Sequence, residues 1–98
     1  MIVSKAYVAT GVASKYLIQL CKHFGHKVTV DYDESRGRVD FPFGTCRLAA
    51  DEAGLSIDCE TPDRPTTERI RGVVADHLER FAWREKPTVE WADGVSGD

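Results

Sequence analysis

Two stretches of the chain place apolar residues at helical spacing. The first stripe consists of Ala13, Leu17, Leu20 and Phe24, and Gly25, a residue type that commonly ends helices, follows it. This spacing predicts a helix over residues 12–24. The second stripe consists of Ile70, Val73, Val74, His77, Leu78 and Phe81 and predicts a second helix, which ends near Pro87.

Between the two helices the apolar period changes to two, the period of a strand with one buried face. The inward positions are predicted to be Val28, Val30, Val39, Phe41, Leu48, Leu55 and Ile57, and the outward ones Thr29, Asp31, Asp40, Arg47 and Asp58. The alternation changes parity at Gly44, so Gly44-Thr45 is predicted to be a two-residue turn, with a bulge in one long strand as the alternative. The segment is predicted to be a four-stranded antiparallel meander.

The ends of the chain complete the predicted fold. Residues 3–9 are rich in strand formers and are typical of an edge strand. Residues 88–91 are typical of a short closing strand. Residues 61–66 offer several starts for the second helix, among which the sequence does not decide. We therefore predict an α+β fold, with two helices packed on one face of a mainly antiparallel sheet in the order β-α-β-β-β-β-α-β. Residues 1–92 form the single domain and 93–98 a flexible tail.

Composition narrows the classes of function. The 98 residues suffice for one domain, and 42% hydrophobic and 30% charged residues are typical of globular proteins. A net charge of -3 disfavours nucleic acid as a partner. No apolar run is long enough for a membrane span and the amino terminus is unlike an export signal, so we expect a cytoplasmic protein. Its three cysteines are then expected to be reduced thiols.

The densest group of metal-ligand residue types lies at the end of the first helix. It contains Cys21, His23 and His26, although Cys21 and His23 point in different directions on a continuous helix. The meander register brings Cys46 and Cys59 opposite one another near the same end of the sheet. We therefore hypothesise a transition-metal site formed by His23, His26 and Cys46. The alternative is that these residues have ordinary core or surface roles, which is common for cysteine.

Other candidate residues lie in or near the second helix. His77 interrupts an apolar stripe, and its position along the helix predicts that it lies about 20 Å from the other imidazoles. Arg80, Arg84 and Lys86 are candidates for binding an anionic ligand, although basic residues are also favoured at a helix C-terminus. A catalytic dyad of Cys46 with His26 is conceivable, but the sequence contains none of the nucleophile-elbow, phosphate-loop or zinc-protease motifs.

Three blocks of the sequence resemble a bacterial family designated domain of unknown function 2218. The first runs from Ala13-Ser14-Lys15-Tyr16-Leu17 to Leu20-Cys21-Lys22-His23-Phe24-Gly25-His26-Lys27, the second is Gly37-Arg38-Val39-Asp40-Phe41-Pro42-Phe43-Gly44-Thr45-Cys46, and the third is His77-Leu78-Glu79-Arg80-Phe81-Ala82-Trp83-Arg84-Glu85. Related domains occur fused to siderophore-interacting flavin reductases. The resemblance therefore implies a link to iron and siderophore metabolism, with such a reductase or a small ligand as partner, but no activity. Cys59 lies outside the three blocks.

Three hypotheses follow for the function. The favoured one is a non-enzymatic binding or accessory domain linked to iron-siderophore metabolism, with a polar site formed by His23, His26, Cys46 and His77. The second is a small thiol- or metal-dependent enzyme that uses Cys46 and His26, for which no third, orienting residue is evident. The third is an interaction module whose histidines serve only the fold.

Overall fold

A computed structural model of the chain describes residues 2–42, 44–81 and 90–95. The described elements are β1 (Ile2–Ala9), α1 (Ala13–Phe24), β2 (Thr29–Tyr32), β3 (Arg36–Phe41), β4 (Gly44–Ala50), β5 (Gly54–Thr61), α2 (Arg64–Phe81) and β6 (Glu90–Val95). Their order confirms the predicted α+β fold. The predicted end of the second helix near Pro87 lies outside the described residues.

The strands form one antiparallel sheet in the order β2-β3-β4-β5-β1-β6. The predicted meander is confirmed, since β2 to β5 pair consecutively. The prediction that the first strand lies at an edge is wrong, because β1 pairs with both β5 and β6. Local periodicity reports which face of a strand is buried, but it carries no information on which distant strand lies beside it.

Both helices pack on the same face of the sheet and supply much of the core. The buried side chains of α1 include the predicted stripe together with Tyr16 and Cys21. Among residues 64–80 of α2, whose burial is described, Thr67, Ile70, Val74 and Leu78 are buried. On the sheet, four predicted inward residues (Val39, Leu48, Leu55 and Ile57) are buried, whereas Val28, Val30 and Phe41 are half-buried against the core. The outward residues Thr29, Asp31 and Arg47 are exposed, and Asp40 and Asp58 are half-buried.

The connection between β3 and β4 differs from the prediction. Gly44 pairs with Phe41 and Thr45 with Asp40, so Gly44-Thr45 is the start of β4 and not a turn. A Cβ atom at Gly44 would lie 2.6 Å from the carbonyl oxygen of Glu60 on β5. The glycine therefore permits a close approach between neighbouring strands, which is another common role of glycine in a sheet.

The start of α2 is determined by Asp63. Its carboxylate accepts a hydrogen bond of 2.9 Å from the backbone N–H of Thr66, as an N-cap residue does. The hydroxyl and the backbone N–H of Thr66 lower the pKa of this carboxyl, in that order of importance. Pro65 occupies the first turn of α2, where its missing N–H costs no hydrogen bond.

The C-terminal strand is longer than predicted. β6 includes residues 93–95, whose backbone pairs with Val3 and its neighbours on β1, whereas the predicted tail began at residue 93. Glycine and aspartate in this segment favour a loop, but pairing along β1 outweighs that local preference. In the described part of the chain, no helix is long and apolar enough to cross a membrane.

Candidate functional site

The last turn of α1 meets the C-terminal half of α2 through two histidine rings. The ring centroids of His23 and His77 are 4.4 Å apart and the ring planes are inclined by 57°. The predicted separation of about 20 Å is therefore wrong. It assumed that the first turn of α2 lies level with the end of α1, whereas the residues of α2 that reach this end of α1 are those from Arg69 to His77.

Two phenylalanines extend the contact into the core. The Phe24 ring lies 5.0 Å from the His77 ring and 5.2 Å from the Phe41 ring, both in edge-to-face geometry. Edge-to-face aromatic pairs at these distances attract one another beyond the effect of area burial. The rings of α1, α2 and β3 thus form one contiguous aromatic cluster whose outer member is the exposed His23.

A cavity of about 300 Å³ opens beside this cluster, between α1, α2 and the end of β3. We call it the interhelical cavity. The described residues that line it are His23, Phe24, Lys27, Val28, Phe41, Pro42, Arg69, Val73 and His77. Five of these side chains are apolar and the other four are basic or can become so, whereas none of the described lining residues is acidic. A ligand here would meet an apolar wall and positively charged groups.

Several basic groups act on the His23 ring. The pKa of His23 is lowered by desolvation and then by the positive charges of His77, His26, Lys27 and Arg80. Four cationic or titratable groups therefore act on one exposed imidazole in a protein whose net charge is -3. Such a local excess of one sign attracts an ion of the opposite sign.

The orientation of His77 is held by its own helix. Its Nδ1 lies 2.6 Å from the carbonyl oxygen of Val73, one turn earlier. A carbonyl oxygen only accepts hydrogen bonds, so Nδ1 carries the proton and donates. In the neutral ring Nε2 is then an acceptor, and it becomes a donor when the ring is protonated.

The structure does not gather His23, His26 and Cys46 into the hypothesised metal site. Among the residues described, no group of three or more His, Cys, Asp or Glu side chains is placed to hold a metal ion. The rings of His23 and His26 are 6.5 Å apart, and Cys46 is 1% exposed, with Cys59 directly opposite as predicted. The inward-facing period of β4 places Cys46 in the core, whereas His23 and His26 remain exposed.

Burial also makes the thiols poor nucleophiles. The hydrogen bond with Cys59 and then desolvation raise the pKa of Cys46, and burial raises the pKa of Cys21 to about 11. A reactive thiol instead needs a lowered pKa and access to solvent. The arrangement therefore disfavours the dyad of Cys46 with His26.

Sequence reasoning missed most of the interhelical cavity. Phe24, Phe41 and Val73 were recognised only as core positions, and Lys27 and Arg69 were not singled out. Lys27 is the last residue of the block that contains His23 and His26, and this run of basic residue types is the available signal. Of the candidates for anion binding, Arg80 contributes to the positive charge around His23, whereas residues 84 and 86 lie outside the described part of the chain.

A larger depression of about 530 Å³ lies on the opposite face of the sheet. Arg38 and Arg47, which line it, form ion pairs of 3.0 Å with Asp40 and Glu60. Asp31 and Asp58 flank the two arginines across the strands. Charges of both signs alternate on this face, as is usual for a solvated sheet surface, so its size alone does not identify a site.

Comparison with known proteins identifies the family. The model of a family described as an uncharacterised protein conserved in bacteria, domain of unknown function 2218, matches residues 5–92. The chain belongs to this family. The NMR structure of PA4090 from Pseudomonas aeruginosa is similar, with a TM-score of 0.79 and 36% sequence identity over 94% of this chain and 96% of that chain. Among proteins of curated function, none matches the chain.

Proposed function

We propose that this domain of the 2218 family binds a small molecule with an apolar body and a negative charge in the interhelical cavity. The observation that carries the proposal is the composition of the lining. Phe24, Phe41 and Val73 are apolar, Lys27 and Arg69 are cationic, and none of the described lining residues is acidic. A pocket with an apolar wall and a few convergent charged groups is typical of small-molecule sites.

The dimensions restrict the ligand. A cavity of about 300 Å³ is at the lower end of the range for small-molecule pockets. It suits a compound of roughly a dozen non-hydrogen atoms. The edges and faces of Phe24 and Phe41 favour a planar ring as the apolar body, since aromatic rings pack well against one another. A small aromatic carboxylate has the required size, shape and charge.

A link to iron and siderophores is a narrower form of this proposal. Aromatic hydroxy-carboxylates, from which many iron chelators are assembled, are small and planar and carry a negative charge at neutral pH, and they match the cavity. The accessory role beside a siderophore-interacting reductase rests on the family resemblance and on this chemical match.

The enzyme hypothesis is the less favoured alternative. Its thiol form requires a reactive Cys46, whose buried position and raised pKa oppose it. A binding role requires no reactive group and uses the aromatic and basic residues that the fold brings together.

The test is a titration monitored by isothermal calorimetry. The protein is titrated with benzoate and, separately, with benzamide, a neutral compound of similar shape. We expect benzoate to bind with one site per chain and benzamide to bind at least about tenfold more weakly, because each hydrogen bond to a charged group is worth about 1.5–3 kcal/mol. Equal affinity for the two compounds would contradict an anionic preference.

Two matched variants locate the site. Lys27 lines the cavity, whereas Lys22 is an exposed lysine in the last turn of α1 that does not line it. Lys27→Ala is expected to weaken benzoate binding several-fold and Lys22→Ala to leave it nearly unchanged. If both substitutions weaken binding equally, the ligand responds to general charge and the cavity is not its site.

A further inference from the structure

We infer that the negatively charged group of the ligand binds at the His23–His77 pair and that binding takes up a proton from solvent. This inference rests on the proposed function and specifies where the anion lies and how pH regulates the site. It starts from the contact of the two rings, whose centroids are 4.4 Å apart at the mouth of the cavity.

The surroundings of the pair oppose a second positive charge in the ligand-free protein. Besides His77, the groups that act on His23 in the described part of the chain include His26 and Lys27 from the segment after α1 and Arg80 from α2. On the same turns of α2, Asp76 and Glu79 are exposed and do not line the cavity. Repulsion by the positive charges disfavours protonation of His23 in the ligand-free protein.

An anion reverses this preference. A carboxylate or sulfonate placed beside the two rings, on the cavity side, offsets the positive charges and accepts hydrogen bonds from protonated imidazoles. In His77, Nδ1 already donates to the carbonyl oxygen of Val73, so Nε2 is the nitrogen that would bond to the anion. A proton added at Nε2 converts an acceptor that repels the anion into a donor.

The proton balance is simple. One proton passes from the buffer to an imidazole nitrogen of the pair, the ligand stays ionised, and no covalent bond to the ligand forms or breaks. By linkage, affinity then rises as the pH falls, by at most about tenfold per pH unit for one proton. Lys27 and Arg69 also line the cavity, and they attract the anion without taking up the proton.

The experiment is calorimetry with benzenesulfonate, which stays ionised across the range of about pH 5 to 8 in which histidine titrates. Binding enthalpy is measured at neutral pH in buffers of different ionisation enthalpy, which gives the number of protons taken up. We expect an uptake approaching one proton per ligand, and tighter binding at lower pH. Binding without proton uptake would overturn the inference and leave the proposed function intact, whereas no binding of either benzenesulfonate or benzoate contradicts the proposed function itself.

Glutamine variants identify which histidines take up the proton on ligand binding. Glutamine retains hydrogen-bonding groups but does not titrate, so the double variant His23→Gln/His77→Gln is expected to bind with little or no proton uptake. His26→Gln is the matched control, because His26 is close to His23 but does not line the cavity. The His26→Gln variant should take up the same number of protons per ligand as the unsubstituted protein. Uptake that persists in the double variant, or that is lost in His26→Gln, would assign the proton elsewhere and overturn the inference.

Discussion

The rings of His23 and His77 join the two helices of the domain, at a centroid distance of 4.4 Å. His23 is exposed at the end of α1, whereas His77 is half-buried and bonded to the backbone of its own helix. One ring is therefore open to solvent and the other is fixed. A titratable pair of this kind at the mouth of a cavity responds both to pH and to an incoming charge.

Removal of His77 is expected to raise the pKa of His23. His77→Ala removes atoms that desolvate His23 and the positive charge that acts most strongly on it, so protonation of His23 becomes easier. The measurement is an NMR titration of the His23 ring protons. Lys27→Ala should shift the pKa in the same direction and Lys22→Ala should not, and a fall of the pKa in His77→Ala would contradict the described surroundings.

Acid should destabilise the folded chain through the same residue. Because folding lowers the pKa of His23, the unfolded chain binds more protons at this site, and stability falls as the pH drops through the unfolded pKa toward the lower folded value. Urea unfolding at a series of pH values is expected to show this loss, and His23→Gln should diminish it. A variant with unchanged acid sensitivity would show that His23 makes no contribution.

Two buried hydroxyls between β5 and α2 are expected to be unequal in importance. The Thr67 hydroxyl donates to the carbonyl oxygen of Asp63 at 2.9 Å, so the Thr61 hydroxyl is the donor in its contact with Thr67. Thr67→Val removes both hydrogen bonds and leaves a buried Thr61 hydroxyl without this acceptor, whereas Thr61→Val removes one. We expect a loss of about 2 kcal/mol for Thr67→Val and about 1 kcal/mol for Thr61→Val in urea unfolding. The reverse order would contradict the assigned donors.

The packing of α1 on β3 requires a glycine at position 37. A Cβ atom there would lie 2.8 Å from Sγ of Cys21, so Gly37→Ala overpacks the core and should cost about 1–3 kcal/mol of unfolding free energy. In a Cys21→Ala background the sulfur is absent and the cost of Gly37→Ala should be clearly smaller. A double-mutant cycle measures the difference. Additive effects of the two substitutions would show that the contact is not the cause.

The thiols should resist modification in the folded state. All three cysteines are buried, and the pKa values of Cys21 and Cys46 are raised. Labelling by an aromatic disulfide reagent at mildly alkaline pH is therefore expected to proceed only at the rate at which the chain opens. Urea should accelerate labelling in step with unfolding. Rapid reaction of Cys46 in the native protein would revive the thiol-enzyme hypothesis.

Much of the fold could be predicted because it is specified locally. The period-two alternation from Val28 to Ile57 is sufficient for the meander, and the register that places Cys46 opposite Cys59 follows from it. The position of β1 between β5 and β6 could not be predicted, since pairing of segments distant in sequence leaves no local pattern. The role of Gly44 could not be predicted for a similar reason. The atom that a Cβ at position 44 would contact is the carbonyl oxygen of Glu60, which lies on the next strand.

The candidate site was predicted only in part. His23 and His77 were both singled out by residue type, but their contact depends on how α2 lies against the end of α1, which a helical stripe does not determine. The apolar wall formed by Phe24, Phe41 and Val73 has the same sequence signature as any core residue. A cavity becomes visible only when the elements are assembled.

The most direct test of the central claim is the position of a bound aromatic carboxylate. Intermolecular NOEs are measured between the ring protons of benzoate and the methyl groups of the protein. The account predicts NOEs to Val28 and Val73, which line the interhelical cavity. NOEs confined to Ala49, on the opposite face of the sheet, would contradict it.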